Sequence, residues 1–97
     1  MGSVNWTAEA QHWLLDIFGY IAGDNPAIAT ATVEGIFERA QILSEFPEIG
    51  HRYAGSKRSV RILLYGHYRI AYLVKENGDI DVLGVFHGSL DIDRYQL

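Results

Sequence analysis

Apolar residues recur at three- and four-residue steps through the first half of the chain and at two-residue steps through the second. Ala10, Trp13, Leu14, Ile17, Phe18 and Ile21 form one wide stripe of a helix. Thr7 is placed to cap it, Glu9 stands in its first turn, and Gly23 suits the position after its end. Asp24-Asn25-Pro26 restarts a helix, with Asn25 as cap and Pro26 in the first helical position. This second helix presents Ala29, Val33, Ile36, Phe37, Ala40 and Leu43 on one side and ends by Pro47 and Gly50. The short connection predicts an antiparallel helical hairpin, with Trp13, Phe18 and Phe37 among its core residues. Ahead of it, residues 4–6 read as a short strand.

Residues 59–65, 68–75 and 80–86 read as three strands. Gly66-His67 joins the first two and Asn77-Gly78 the last two, the latter a strong hairpin signal because both residues tolerate positive φ. With two-residue turns, Tyr68 falls opposite His87, Arg69 opposite Phe86, Ala71 opposite Gly84, Arg61 opposite Tyr72, and Leu64 opposite Arg69. One sheet face then carries Arg61, Leu63, Tyr65, Tyr68, Ile70, Tyr72, Leu83, Val85 and His87. The other carries Val60, Ile62, Leu64, Arg69, Ala71, Leu73, Val82, Gly84 and Phe86. Both are largely apolar and the helices can cover only one. A strand, the C-terminal tail or a partner is therefore expected over part of the other. Helices followed by strands predict an α+β domain, a single one across residues 1–97.

Composition narrows the chemistry. The chain has no cysteine, which excludes disulfides and thiolate sites and fits a reducing cytoplasm. No apolar run approaches the roughly 20 residues that span a bilayer. The histidines His51, His67 and His87 lack metal-ligand spacing, and no cofactor is implied. Charge is the uneven feature. Residues 49–75 hold no carboxylate and six of the eight lysines and arginines: Arg52, Lys57, Arg58, Arg61, Arg69 and Lys75. The net charge is −4, so a positive patch sits on a negative body. That argues against a surface that coats nucleic acid throughout and leaves room for one contact patch.

The Trp6-Thr7-x-x-Ala10 opening, Tyr20-Ile21-Ala22, Phe46-Pro47-x-x-Gly50, the arginine-bearing strand, Tyr68-Arg69-Ile70-Ala71-Tyr72 and the closing Val85-Phe86-His87 follow a familiar order. In that order and spacing, across nearly the whole chain, the sequence resembles the RelE/ParE superfamily of toxins from bacterial type II toxin–antitoxin (plasmid stabilisation) modules. The resemblance implies a short N-terminal strand and a helical hairpin packed on a three- to four-stranded antiparallel sheet. RelE-like members cut messenger RNA on the ribosome with basic residues on the exposed sheet face. Aligned through Gly66-x-Tyr68-Arg69, the positions of their catalytic lysines are Val60 and Ile62 here, and their late arginine falls near Gly88. Only Arg69 remains. The ending His87-x-x-x-Asp91-Ile92-x-Arg94 looks instead like that of ParE toxins, which poison DNA gyrase and are neutralised by a cognate antitoxin that wraps them. The favoured reading is therefore a ParE-like gyrase inhibitor without an active site of its own. The alternatives are a RelE-like ribosome-dependent endoribonuclease with an altered site, and an inactive antitoxin-binding homologue. The resemblance leaves open a toxin dimer within the toxin–antitoxin complex.

The candidate target-binding residues are Arg58, Arg61, Arg69, His87, Asp91 and Arg94. Arg58, Arg61, Arg69 and His87 also have plainer readings. Arg52, Lys57, Arg58 and Arg61 can be a solvated edge that blocks strand pairing. Arg69 can tether a loop carboxylate or a helix C-terminus instead of serving as a retained nuclease arginine. His87 can hydrogen-bond or touch the target; in a nuclease, Arg69 and His87 would be the residues left to carry catalysis. Val60, Ile62 and Leu64 are either core or a groove for the antitoxin.

Overall fold

The fold follows from how the first cap is used. Thr7 Oγ1 accepts the Ala10 N–H at 3.1 Å, opening helix α1 (Ala8–Ala22), and its hydroxyl donates to the Val82 carbonyl at 2.8 Å. One side chain thus caps the helix and stitches it to the sheet. Asn25 caps α2 (Pro26–Gln41) by accepting the Ile28 N–H at 3.1 Å. Gly23 stands where α1 ends, but with φ −57° it is right-handed, so the turn between the helices does not use glycine's freedom. A 3-10 turn (Ile42–Ser44) ends α2. The computed structural model describes residues 2–89, 92–95 and 97.

The strands are β1 (Val4–Trp6), β2 (His51–Arg52), β3 (Val60–Tyr65), β4 (Tyr68–Val74) and β5 (Ile80–His87), in the sheet order β1-β5-β4-β3-β2. The expected antiparallel hairpins form its centre. Two short edges complete it: β1 lies parallel to β5, and His51 and Arg52 pair with Ile62 and Arg61. The α+β class holds, with five strands instead of three or four, because the two-residue edge β2 is too short to show alternation.

The register is as expected along the first hairpin, with Arg61 opposite Tyr72 and Leu64 opposite Arg69, and at the far end of the second, with Tyr68 opposite His87, Arg69 opposite Phe86 and Ala71 opposite Gly84. It differs near the second turn. The Lys75 N–H donates to Asp79 O at 2.9 Å, leaving three residues at the tip, with Gly78 at φ +89°. A bulge at Leu83 absorbs the extra residue, so Tyr72 pairs with Val82. This exchanges two face assignments. Val82 enters the core beneath the helices, and Leu83 turns to the opposite face.

The main core lies between helices and sheet and includes Ile36, Leu43, Leu63, Ile70, Tyr72, Ile80 and Val85. Phe18 and Phe37 are not in it. They are 38% and 46% exposed, with Phe37 stacked on Trp6 at 5.9 Å. On the other sheet face, a smaller cluster of Ile62, Ala71 and Phe86 is closed by Ile92, Tyr53, Leu97 and Trp13. The chain's own tail is thus one cover of the second apolar face.

Buried polar groups fix the loop after α2. The Tyr72 hydroxyl donates to Pro47 O at 2.8 Å and accepts the Gly50 N–H at 3.0 Å. A Cβ on Gly50 would come within 2.7 Å of both that hydroxyl and the Ile62 carbonyl, so only glycine fits. Burial raises the Tyr72 pKa above the ordinary 10.0; the Gly50 hydrogen bond and the Arg61 charge oppose it. The folded chain therefore holds this proton more tightly than the unfolded chain does. Its contribution to stability is complete below about pH 10 and is lost as the pH rises further. Tyr72→Phe is expected to cost about 1–3 kcal/mol, because Pro47 O and Gly50 N–H lose their partner. It should also make the alkaline loss of stability shallower than in the parent protein. Urea unfolding from pH 7 to 11 tests both; identical alkaline limbs would remove Tyr72 as the group responsible.

Candidate target-binding face

The acid-free stretch does not form one continuous patch, because strand alternation and local hydrogen bonds send its cations in different directions. Arg61 pairs with Tyr72 on the helix side of the sheet, half-buried. Its Nη1 donates to Gly50 O at 2.7 Å and to Glu48 O at 3.2 Å. It braces the same loop that Tyr72 holds. Arg69 lies on the opposite face, where its Nη2 donates to Gly88 O at 3.2 Å. That is tethering, with a backbone carbonyl in place of the carboxylate or helix end expected. Lys75 pairs with Asp81 at 3.2 Å, an exposed pair worth about 0–1 kcal/mol. Arg52 and Lys57 are exposed on the edge beside β3.

Arg58 and Arg94 are brought together although 36 positions separate them in sequence. Both line an open cleft of about 440 Å³ with Thr7, Glu9, Leu83, Tyr95 and Leu97. Arg58 Nε donates to Leu97 O at 3.2 Å, and Ser56 Oγ donates to the same oxygen at 2.9 Å while accepting the Arg58 N–H. The basic loop thereby grips the tail, and both arginines remain exposed. The sequence reading missed Ser56, Tyr95 and Leu97. The one available signal was the apolar spacing Ile92-x-x-Tyr95-x-Leu97, too short to assign to an element.

His87 stands at the other end of the sheet, exposed. Its Nδ1 accepts the Ser89 N–H at 3.2 Å and lies 2.8 Å from Ser89 Oγ. Tyr68 packs edge-on to the ring at 5.6 Å and His67 stacks on it at 6.1 Å. His87 and Arg69 are near in sequence register but point to opposite faces. Asp91 lies outside the described residues. Val60 and Ile62 are buried, Ile62 beneath the tail, whereas Leu64 is 55% exposed. The three-residue groove is therefore not open: Val60 and Ile62 are closed off by this chain, and Leu64 alone of the three faces solvent. Among the described residues, no group of three or more His, Cys, Asp or Glu could hold a metal ion. No helix among the described residues is long and apolar enough to cross a membrane.

Residues 4–92 match the family model described as the ParE toxin of the type II toxin–antitoxin system parDE. Among solved structures, a chain of the chromosomal ParDE toxin–antitoxin system from P. aeruginosa superposes with a TM-score of 0.74 at 24% identity. That match covers 90% of this chain and 96% of that one. A chain of the toxin–antitoxin complex RelBE2 from Mycobacterium tuberculosis gives a TM-score of 0.61 at 22% identity, covering 89% and 96%. At these identities both likenesses establish the fold. No curated protein matches the chain significantly.

Proposed function

The chain belongs to the ParE toxin family of type II toxin–antitoxin systems, and from that premise we propose that it inhibits DNA gyrase by binding and is neutralised by a cognate antitoxin. It acts as a single domain, in the bacterial cytoplasm, without an active site of its own. One observation carries the gyrase reading over the ribosome. Val60 and Ile62, which stand where RelE-like nucleases carry lysines, are buried apolar residues. Arg69, the one basic position shared with that site, is tied to Gly88 O. Side-chain-driven phosphodiester cleavage needs a general base and a cation at the developing charge. These positions offer neither in one place. The antitoxin part rests on family membership and on the solved relatives, which come from toxin–antitoxin systems.

Inducing the protein in growing bacteria without antitoxin separates the readings. Gyrase poisoning should give filamentous cells and a DNA-damage response, reversed by the antitoxin. Rapid loss of messenger RNA would instead identify the nuclease. Unaffected growth would leave only an antitoxin-binding module.

A further inference from the structure

A second cleft, of about 410 Å³, opens between α1 and the end of the sheet where β4 begins and β5 stops. It is lined by the apolar Ile17 and Ile21 and by Asp16 and Tyr20 from α1, and by the rings of Tyr68 and His87 from the sheet. The sheet side is preorganised. Gly66, at φ +56°, makes the tight turn that brings His67 against His87. The Gly88 N–H donates to His67 O at 2.6 Å, and Arg69 holds Gly88 O from the far face of the sheet. Ser89 fixes the His87 ring through Nδ1. Tyr20, also in the lining, is 86% exposed. Asp16 makes no ion pair among the described residues, and the cleft's described lining includes no lysine or arginine.

Aromatic faces are electron-rich, and a lone carboxylate in the same lining adds negative charge among apolar side chains. That combination attracts organic cations and repels phosphate. A planar guanidinium suits it best. It stacks on tyrosine and histidine rings and offers paired N–H donors to a carboxylate, where a rounder, more hydrated ammonium cannot do both. The geometry points to a binding site for the arginine side chain of a partner polypeptide, stacked between Tyr20 and Tyr68 and paired with Asp16. The site does not depend on gyrase being the toxin's target, and it lies apart from the Arg58–Arg94 cleft.

The test is NMR titration of the intact protein, following the ring protons of Tyr20 and Tyr68. The probe is the tripeptide Gly-Arg-Gly, blocked at both ends. Its citrulline counterpart has the same shape without the charge, and butylguanidinium carries the charge without a peptide. The arginine tripeptide should give saturable shifts at both tyrosines. It should bind about tenfold more tightly than the citrulline form and at least as tightly as butylguanidinium. Asp16→Asn and Tyr20→Ala, both at exposed positions on α1, should each weaken it about tenfold, with an unchanged circular dichroism spectrum. Equal binding of the citrulline form, or indifference to both substitutions, overturns the site. Butylguanidinium binding tenfold tighter than the tripeptide overturns the assignment to a polypeptide partner.

Discussion

Phe86→Ala should cost about 3–5 kcal/mol, enough to leave a domain of this size marginally folded at 37 °C. Phe86 is 1% exposed and is the largest side chain of the smaller core cluster. Its ring meets Trp13 at 4.6 Å from the helix and Tyr95 at 5.1 Å from the tail. The loss has two parts: the apolar surface returned to water and the cavity left between three elements. The rings could close that cavity only by moving α1 toward the sheet, and the Thr7 bridge to Val82 resists this. Phe86→Leu, which keeps most of the volume, should cost far less, about 1–1.5 kcal/mol. Chemical denaturation of the two variants checks the contrast. Similar losses for both would mean that ring contacts, not volume, hold this face. A cycle with Tyr95→Ala should show coupling of about 0.5–1.5 kcal/mol, because each substitution removes the other's ring partner.

This cluster marks where the sequence stops being legible. Pairing far from the turns is readable because Gly66 and Gly78 place the hairpins, and Tyr68 does lie opposite His87. That agreement depends on two local departures that cancel. The second turn is one residue longer than a two-residue loop, and the bulge at Leu83 takes up the difference. Between them, Val82 and Leu83 exchange faces, and periodicity cannot show it because both are apolar. The tail is hidden for another reason. Ile92 and Leu97 have no repeat of their own, and their value appears only against Ile62 and Phe86. The candidate site suffers most, since charge along a chain carries no direction. Arg61 and Arg69 look alike in sequence, yet one braces Gly50 from the helix side and the other Gly88 from the opposite face. Of the four candidate arginines, Arg58 and Arg94 remain outward, and no motif joins them.

Under the gyrase reading, the double substitution Arg58→Glu with Arg94→Glu should therefore weaken inhibition at least a hundredfold while leaving the fold intact. Each guanidinium facing a charged group on the target contributes about 1.5–3 kcal/mol, and reversal adds repulsion to the loss. Both side chains are exposed, and Arg58 Nε donates to Leu97 O. Thermal stability should thus fall little. Arg61→Glu is the informative contrast. It also reduces inhibition, but through unfolding of the loop after α2, since Gly50 O and Glu48 O lose their donor. A drop in melting temperature should accompany it. Supercoiling assays over a salt series locate the contact further. If the two arginines meet DNA phosphates in the gyrase complex, the logarithmic salt slope should fall by about 2 in the double variant. An unchanged slope with lost inhibition would place them against gyrase itself. Full inhibition by the folded double variant would remove the Arg58–Arg94 cleft from the target-binding surface and leave the His87 end as the place to look.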